Sequence, residues 1–162
     1  MMAVYPKEQR TESNLVKIQD LINEKTVFLL DKRYRSDVLD ALVAKAAELG
    51  LVMDVPLLKS AIDAREALCS TAIGDEIAIP HAKIPTISSF FVMTAVVKTP
   101  VEWDAPDQKA VRIVFLIGGP DDDQAAYLGL LAQIMRKVKD SDRRANILST
   151  TSAAEIARIL TR

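Results

Sequence analysis

His81 is the only histidine of the 162-residue chain. It stands near the end of the run REALCSTAIGDEIAIPHAK, residues 65–83, in which an arginine and the hydroxyls of Ser70 and Thr71 precede an apolar stretch and a proline. Imidazole is the side chain whose ordinary pKa makes it a neutral nucleophile or an acid near pH 7. Held at one nitrogen by a carbonyl or carboxylate that fixes its tautomer, it can attack phosphorus through the other and become a phosphohistidine. Arg65 has the planar fork that suits phosphoryl oxygens, and Ser70 or Thr71 could donate a hydroxyl. Each residue also has an ordinary use: a hydrogen-bonded or surface histidine, an Arg65–Glu66 pair, hydroxyls capping a turn before Gly74. On spacing alone those structural uses have the better claim.

Other chemistries fit less well. One histidine and one cysteine do not make a zinc set, and Asp121, Asp122 and Asp123 read better as charge complementing a helix start than as a carboxylate metal site. No G-x-G-x-x-G or G-x-x-x-x-G-K-[ST] occurs, and the GGPDDD stretch sets negative charge where a phosphate cradle needs donors. Arg136, Lys137, Lys139, Arg143 and Arg144 are interrupted by Asp140 and Asp142 and have no interleaved aromatics, which predicts a solvated helical face and no nucleic-acid site. Cys69 lacks the C-x5-R order of a cysteine phosphatase loop, so a buried thiol is expected. A small hydrolase using His81 would need a water-activating base that no motif supplies.

The elements that must position these residues follow from periodicity. Residues 1–14 show none and read as a loose arm. Leu15, Ile18, Leu21 and Ile22 suggest a helix, and residues 26–30 a strand. Ser36 is placed to cap a helix with Val38, Leu39, Leu42, Val43, Ala46 and Leu49 on one face and Gly50 at its end. Asp54 is placed to cap the next, which carries Leu58, Ile62, Arg65 and Leu68. Residues 77–79, 90–97 and 111–117 read as strands, with Pro80 ending the first and setting His81 at a sheet edge. Thr99-Pro100 and residues 103–107 read as a turn-rich connection anchored by Trp103. A helix follows Asp123 with Leu128, Leu131, Ile134, Met135 and Val138 inward, and two more begin near Ser141 and Ser152, the last burying Ile156, Ile159 and Leu160. Strands interleaved with helices predict a single α/β domain, a mixed central sheet flanked by helices on both faces.

Bulk numbers bound the rest. With 49% hydrophobic residues there is material for one substantial core. A net charge of -1 gives no general pull toward nucleic acid or anionic membrane. The single cysteine suits a reducing compartment, and neither a membrane span nor a signal-type apolar segment is seen, so a cytoplasmic protein is expected.

The run from Arg65 to Lys83 resembles the active-site signature of the fructose/mannitol-type IIA domains of the bacterial phosphoenolpyruvate-dependent phosphotransferase system, including their nitrogen-regulatory branch. The likeness continues through VEWDAPDQKAVRIVFLIGGP and YLGLLAQI and spans residues 15–162. It implies His81 as phosphoryl acceptor, Arg65 as the phosphate-stabilising arginine and Thr71 and Ser70 as supporting polar groups. It also implies a histidine-phosphorylated carrier protein upstream, a regulated protein or IIB domain downstream, and no cofactor or metal. Where such domains usually carry a second histidine this chain has Tyr127, a phenol that can donate one hydrogen bond but cannot become a cation. A phosphocarrier is the first reading; a regulatory binding module with impaired transfer is the second. Either should dock partners through a shallow apolar rim, expected at Ile84-Pro85 and on the helix bearing Tyr127.

Overall fold

The computed structural model describes residues 15–162; the expected N-terminal arm lies outside them. Six strands and six helices follow in the order α1 (Ile18–Leu21), β1 (Val27–Leu30), α2 (Arg35–Glu48), α3 (Val55–Leu68), β2 (Ala72–Gly74), β3 (Ile77–Ala78), β4 (His81–Lys83), β5 (Phe91–Val101), β6 (Val111–Gly119), α4 (Gln124–Val138), α5 (Ser141–Ser149) and α6 (Ala153–Thr161). The strands form one mixed sheet, β1-β5-β6-β3-β2, with β4 also paired to β6. β5 and β6 run antiparallel through its centre, whereas β1 lies parallel to β5, and β3 and β4 lie parallel to β6.

Alternation along the central strands builds two cores. Phe91, Met93, Ala95 and Val97 of β5, with Val114 and Leu116 of β6, pack against Val38, Leu42, Leu58 and Ile62 of α2 and α3. Val92 and Val96, with Ile113, Phe115 and Ile117, face Leu130 and Ile134 of α4, Ile147 of α5 and Ile156 and Leu160 of α6. The expected sheet with helices on both faces is therefore present.

Local chemistry explains most boundaries and several departures. Asp54 caps α3 by accepting from the Leu57 N–H at 3.1 Å, with proline in the first turn. Ser36 does not cap α2: the helix already begins at Arg35, after an extended Tyr34 that makes no side-chain cap. The first helix is only a four-residue turn. On α4 the buried face is Ala126, Tyr127, Leu130, Ile134 and Val138, while Leu128 and Met135, expected inward, are exposed. Counting the partly polar Tyr127 as outside rotates the apparent stripe by one position, about 100°. β5 runs on through Thr99 and Pro100 to Val101, where a turn-rich connection was expected. Its register with β6 shifts between Val96 and Val101, and this irregularity accommodates a proline that has no N–H for the ladder. β2 was unforeseen. It pairs with β3 through a turn in which Asp75 and Glu76 both take left-handed φ, 54° and 67°, the geometry of a type I′ hairpin.

The basic cluster is not a freely solvated face. Arg143 donates to the Ile159 carbonyl and Arg144 to those of Val138 and Lys139, so both guanidinium groups satisfy exposed helix-end carbonyls. Among the described residues no group of three histidine, cysteine or acidic side chains is gathered for a metal, and no helix is long and apolar enough to cross a membrane. Asp123 caps α4 through the Ala126 N–H at 3.2 Å.

Candidate active site

β3 and β4 are two pieces of one strand line along β6. Ile77 and Ala78 pair with Ile113 and Val114; His81, Ala82 and Lys83 pair with Ile117, Gly118 and Gly119. Pro80 breaks the line between them, yet its carbonyl still accepts from the Ile117 N–H at 3.0 Å. His81 thus begins a strand rather than ending one, and does so beside the carboxyl end of β6. Gly118 and Gly119 make this packing possible. A Cβ at either would lie 2.3 Å from the Phe91 ring or 2.2 Å from the Phe90 ring, so the two aromatics cover bare backbone where β4 joins.

Strand alternation then divides β4. Ala82 is buried in the core beneath α2 and α3, and His81 and Lys83 share the opposite side, both half-buried. The His81 ring lies 5.0 Å from that of Tyr127 on α4, centroid to centroid, with planes inclined at 39°. Its Nδ1 is 3.2 Å from the Ile79 carbonyl oxygen. A carbonyl only accepts, so the neutral ring carries its proton on Nδ1 and leaves the Nε2 lone pair free. Burial, followed by the positive charges of Arg65 and Lys83, holds His81 below the ordinary histidine value of 6.5, against the opposing pull of the Ile79 bond and Glu66. Neutral pH therefore finds the ring uncharged. Burial likewise raises the Tyr127 phenol above its usual 10.0, so it stays uncharged.

Arg65, in the last turn of α3, donates to the Cys69 carbonyl at 2.9 Å and touches the Cys69 sulfur at 3.5 Å. It does not pair with Glu66. That carboxylate, only 6% exposed, takes Arg35 at 3.8 Å instead. Cys69 is exposed, against the expectation of a buried thiol: the chain leaves α3 there in an extended conformation.

Thr71 and Ser70 are committed to the scaffold. The Thr71 hydroxyl donates to Glu66 Oε1 and accepts from the Trp103 indole N–H at 3.2 Å. Ser70 donates to the Trp103 carbonyl and accepts from the Ala72 N–H at 3.1 Å. Trp103 is fully buried, as expected of an anchor. The Thr71 carbonyl in turn accepts from the Ile79 N–H at 3.0 Å, and Ile79 is the residue whose carbonyl fixes His81. Glu66, Thr71, Ile79 and His81 are thus linked in series, by three hydrogen bonds joined through the Thr71 and Ile79 backbone.

Lys83 and Gln124, which lie beside His81 and Tyr127, escaped the sequence reading. The Lys83 ammonium lies 4.7 Å from the centre of the Tyr127 ring and donates to Gln124 Oε1. The i, i+2 spacing of His81 and Lys83 was the signal that could have found it. Of the residues expected to form an apolar rim, Ile84 is core; on the helices that carry Arg65 and Tyr127 the most exposed large apolar side chains are Leu68 (81%), just before Cys69, and Leu128 (51%), beside Tyr127.

The family profile described as phosphoenolpyruvate-dependent sugar phosphotransferase system, EIIA 2, matches residues 20–162. The chain belongs to this family. It is 31% identical over 144 residues to the nitrogen regulatory protein of Bradyrhizobium diazoefficiens, covering 88% of this chain and 94% of that one. Among solved structures, IIA-Ntr from Neisseria meningitidis superposes with a TM-score of 0.83 at 23% identity, over 89% of this chain and 99% of its own. A complex of Escherichia coli enzyme IIAMtl with phosphorylated enzyme IIBMtl gives 0.72 at 17% identity, over 84% and 94%. At these identities the two superpositions establish the shared fold, and the family assignment rests on the profile and the 31% relative. This EIIA-type chain thus has the architecture that its 65–83 signature implied.

Proposed function

We propose that the protein is a phosphohistidine carrier. His81 Nε2 attacks the phosphorus of a phosphohistidine on an upstream carrier protein. The new N–P bond forms as the donor N–P bond breaks, and the electron pair returns to the donor imidazole. The phosphoryl group then passes to a downstream partner, a IIB domain or a regulated protein, by the same exchange in reverse. The observation that carries this reading is the Nδ1 bond to the Ile79 carbonyl at 3.2 Å: it leaves Nε2 as the unprotonated nitrogen of a half-exposed ring. Arg65 lies near enough to bear electrostatically on both His81 and Tyr127, as a phosphate-stabilising cation requires. Thr71 and Ser70 support the site by positioning rather than by touching phosphate. Leu68 and Leu128 suit a transient docking surface.

A second reading draws on Tyr127. A buried phenol held in its neutral form offers no charge to the phosphoryl group, which favours a regulatory module that docks partners and exchanges phosphate poorly. Incubation with phosphoenolpyruvate and the upstream phosphotransferase proteins, followed by intact-mass and acid-lability measurement, separates the two. The carrier gains one acid-labile, base-stable phosphoryl group, and His81→Ala gains none. Wild type that binds a carrier protein but takes no label supports the second reading and overturns the first.

A further inference from the structure

We propose that Lys83 is the second phosphate-neutralising cation of the site, held ready beside His81 by the Tyr127 ring and Gln124. The proposal rests on the carrier reading. A phosphoryl group on Nε2 brings two negative charges into a half-buried setting, where uncompensated charge is costly. Arg65 reaches that setting from α3, on one helical layer. Lys83 reaches it from the strand that bears His81, and Tyr127 belongs to α4, on the other layer.

The placement follows from backbone geometry. Residues i and i+2 of a strand share a face, with Cα atoms about 7 Å apart. The β4 register with β6 fixes both His81 and Lys83 against Ile117 and Gly119. From there the ammonium sits over the electron-rich face of Tyr127, 4.7 Å from its centre, and donates to Gln124 Oε1. A free lysine loses much rotamer freedom when it meets an anion; this one is already ordered by a cation–π contact and a hydrogen bond. Neither partner is an anion, so neither competes with phosphate for the charge, and no salt bridge to Lys83 occurs among the described residues. Tyr127 therefore serves the site through its ring face rather than its hydroxyl. It orders a neighbouring cation in place of becoming one.

Two readouts test this. Because the chain has one histidine, its imidazole resonances titrate without overlap. The charged groups acting on it are Arg65, Lys83 and Glu66, and removing the Lys83 charge raises the His81 midpoint toward 6.5. Lys83→Met should show that rise; Lys83→Arg should not. In the labelling assay Lys83→Met should lower the phosphorylation rate or phosphohistidine lifetime by about tenfold, the scale of one charge-assisted hydrogen bond, with Lys83→Arg restoring most of it. Lys83→Met made in a Tyr127→Leu background should cost less than in wild type, because the platform is already gone. If wild type labels and Lys83→Met matches it in rate, lifetime and His81 midpoint, the Lys83 assignment fails while the carrier reading stands. Wild type that takes no label overturns the carrier reading, and the assignment falls with it.

Discussion

Replacing Thr71 by valine separates a scaffold hydroxyl from one that serves phosphate. In the structure the hydroxyl hydrogen goes to Glu66 and its oxygen takes the Trp103 N–H. Valine keeps the shape and removes both bonds. Trp103, with no exposed surface, is left with an unsatisfied indole N–H, a loss of about 1 to 3 kcal/mol. Glu66, at 6% exposure, retains the Thr71 backbone N–H at 3.4 Å and Arg35 at 3.8 Å. Losing a hydrogen bond to a charged group costs about 1.5 to 3 kcal/mol. Together the two effects predict a destabilisation of about 2.5 to 6 kcal/mol, a large share of the roughly 5 to 15 kcal/mol that holds a domain folded. Thr71→Ser keeps the hydroxyl and forfeits one buried methyl, about 1 kcal/mol. Urea unfolding of the three proteins measures both numbers. Where Thr71→Val remains folded it should still take label at His81, since neither Ile79 bond, to the Thr71 carbonyl or to the His81 ring, uses the Thr71 side chain. The reasoning is refuted if Thr71→Val unfolds within about 0.5 kcal/mol of wild type and yet loses labelling, for the hydroxyl would then belong to the phosphoryl group.

Two further outcomes are expected. Thr94 is fully buried at the centre of the sheet, with its hydroxyl oxygen lacking any hydrogen-bond partner; Thr94→Val should raise stability by about 1 kcal/mol, and a loss of that size in urea unfolding would count against it. His81 titrates below 6.5 when folded, so the unfolded chain binds the extra proton first as pH falls. Its contribution to stability is complete above pH 6.5 and is lost as pH drops through the folded value. His81→Gln should flatten that segment of the stability curve, and wild-type labelling should retain more than half its plateau rate at pH 6.5; a rate at or below half there would contradict the depressed basicity.

What could be read from the sequence was whatever depends on neighbours along the chain. Asp54 announced its cap, Pro80 its break, and the apolar runs of β5 and β6 their place in the sheet, because capping, proline geometry and burial on both faces are local properties. What could not be read depends on who arrives from elsewhere. Arg65 and Glu66 are adjacent, yet their partners are Cys69 and Arg35. Thr71 is committed by Trp103, 32 positions away. Arg143 and Arg144 meet carbonyls at the ends of other helices or of the preceding one. Tyr127 was legible as a departure from a family pattern but not as a platform for Lys83, since that contact joins β4 to α4.

The location of His81 follows from two demands that pull apart. A nucleophile must be held in one tautomer and orientation, which favours burial, and must also meet a phosphohistidine on another protein, which forbids it. On the central strands the conflict has no solution, because β5 from Phe91 to Val97 and β6 from Ile113 to Ile117 are sealed between two helical layers. β4 resolves it by being short and one-sided. Three residues paired only to β6 leave an open edge too brief to recruit another strand, and the orienting bond comes from Ile79, two residues upstream on the same segment. No outside group is needed to fix Nδ1, so Nε2 is not enclosed by the group that orients its ring. Pro80 is what allows this. Its own carbonyl keeps the segment bonded to Ile117, while Ile79, whose N–H goes to the Thr71 carbonyl on the side away from β6, has its carbonyl clear of that ladder to take the imidazole proton.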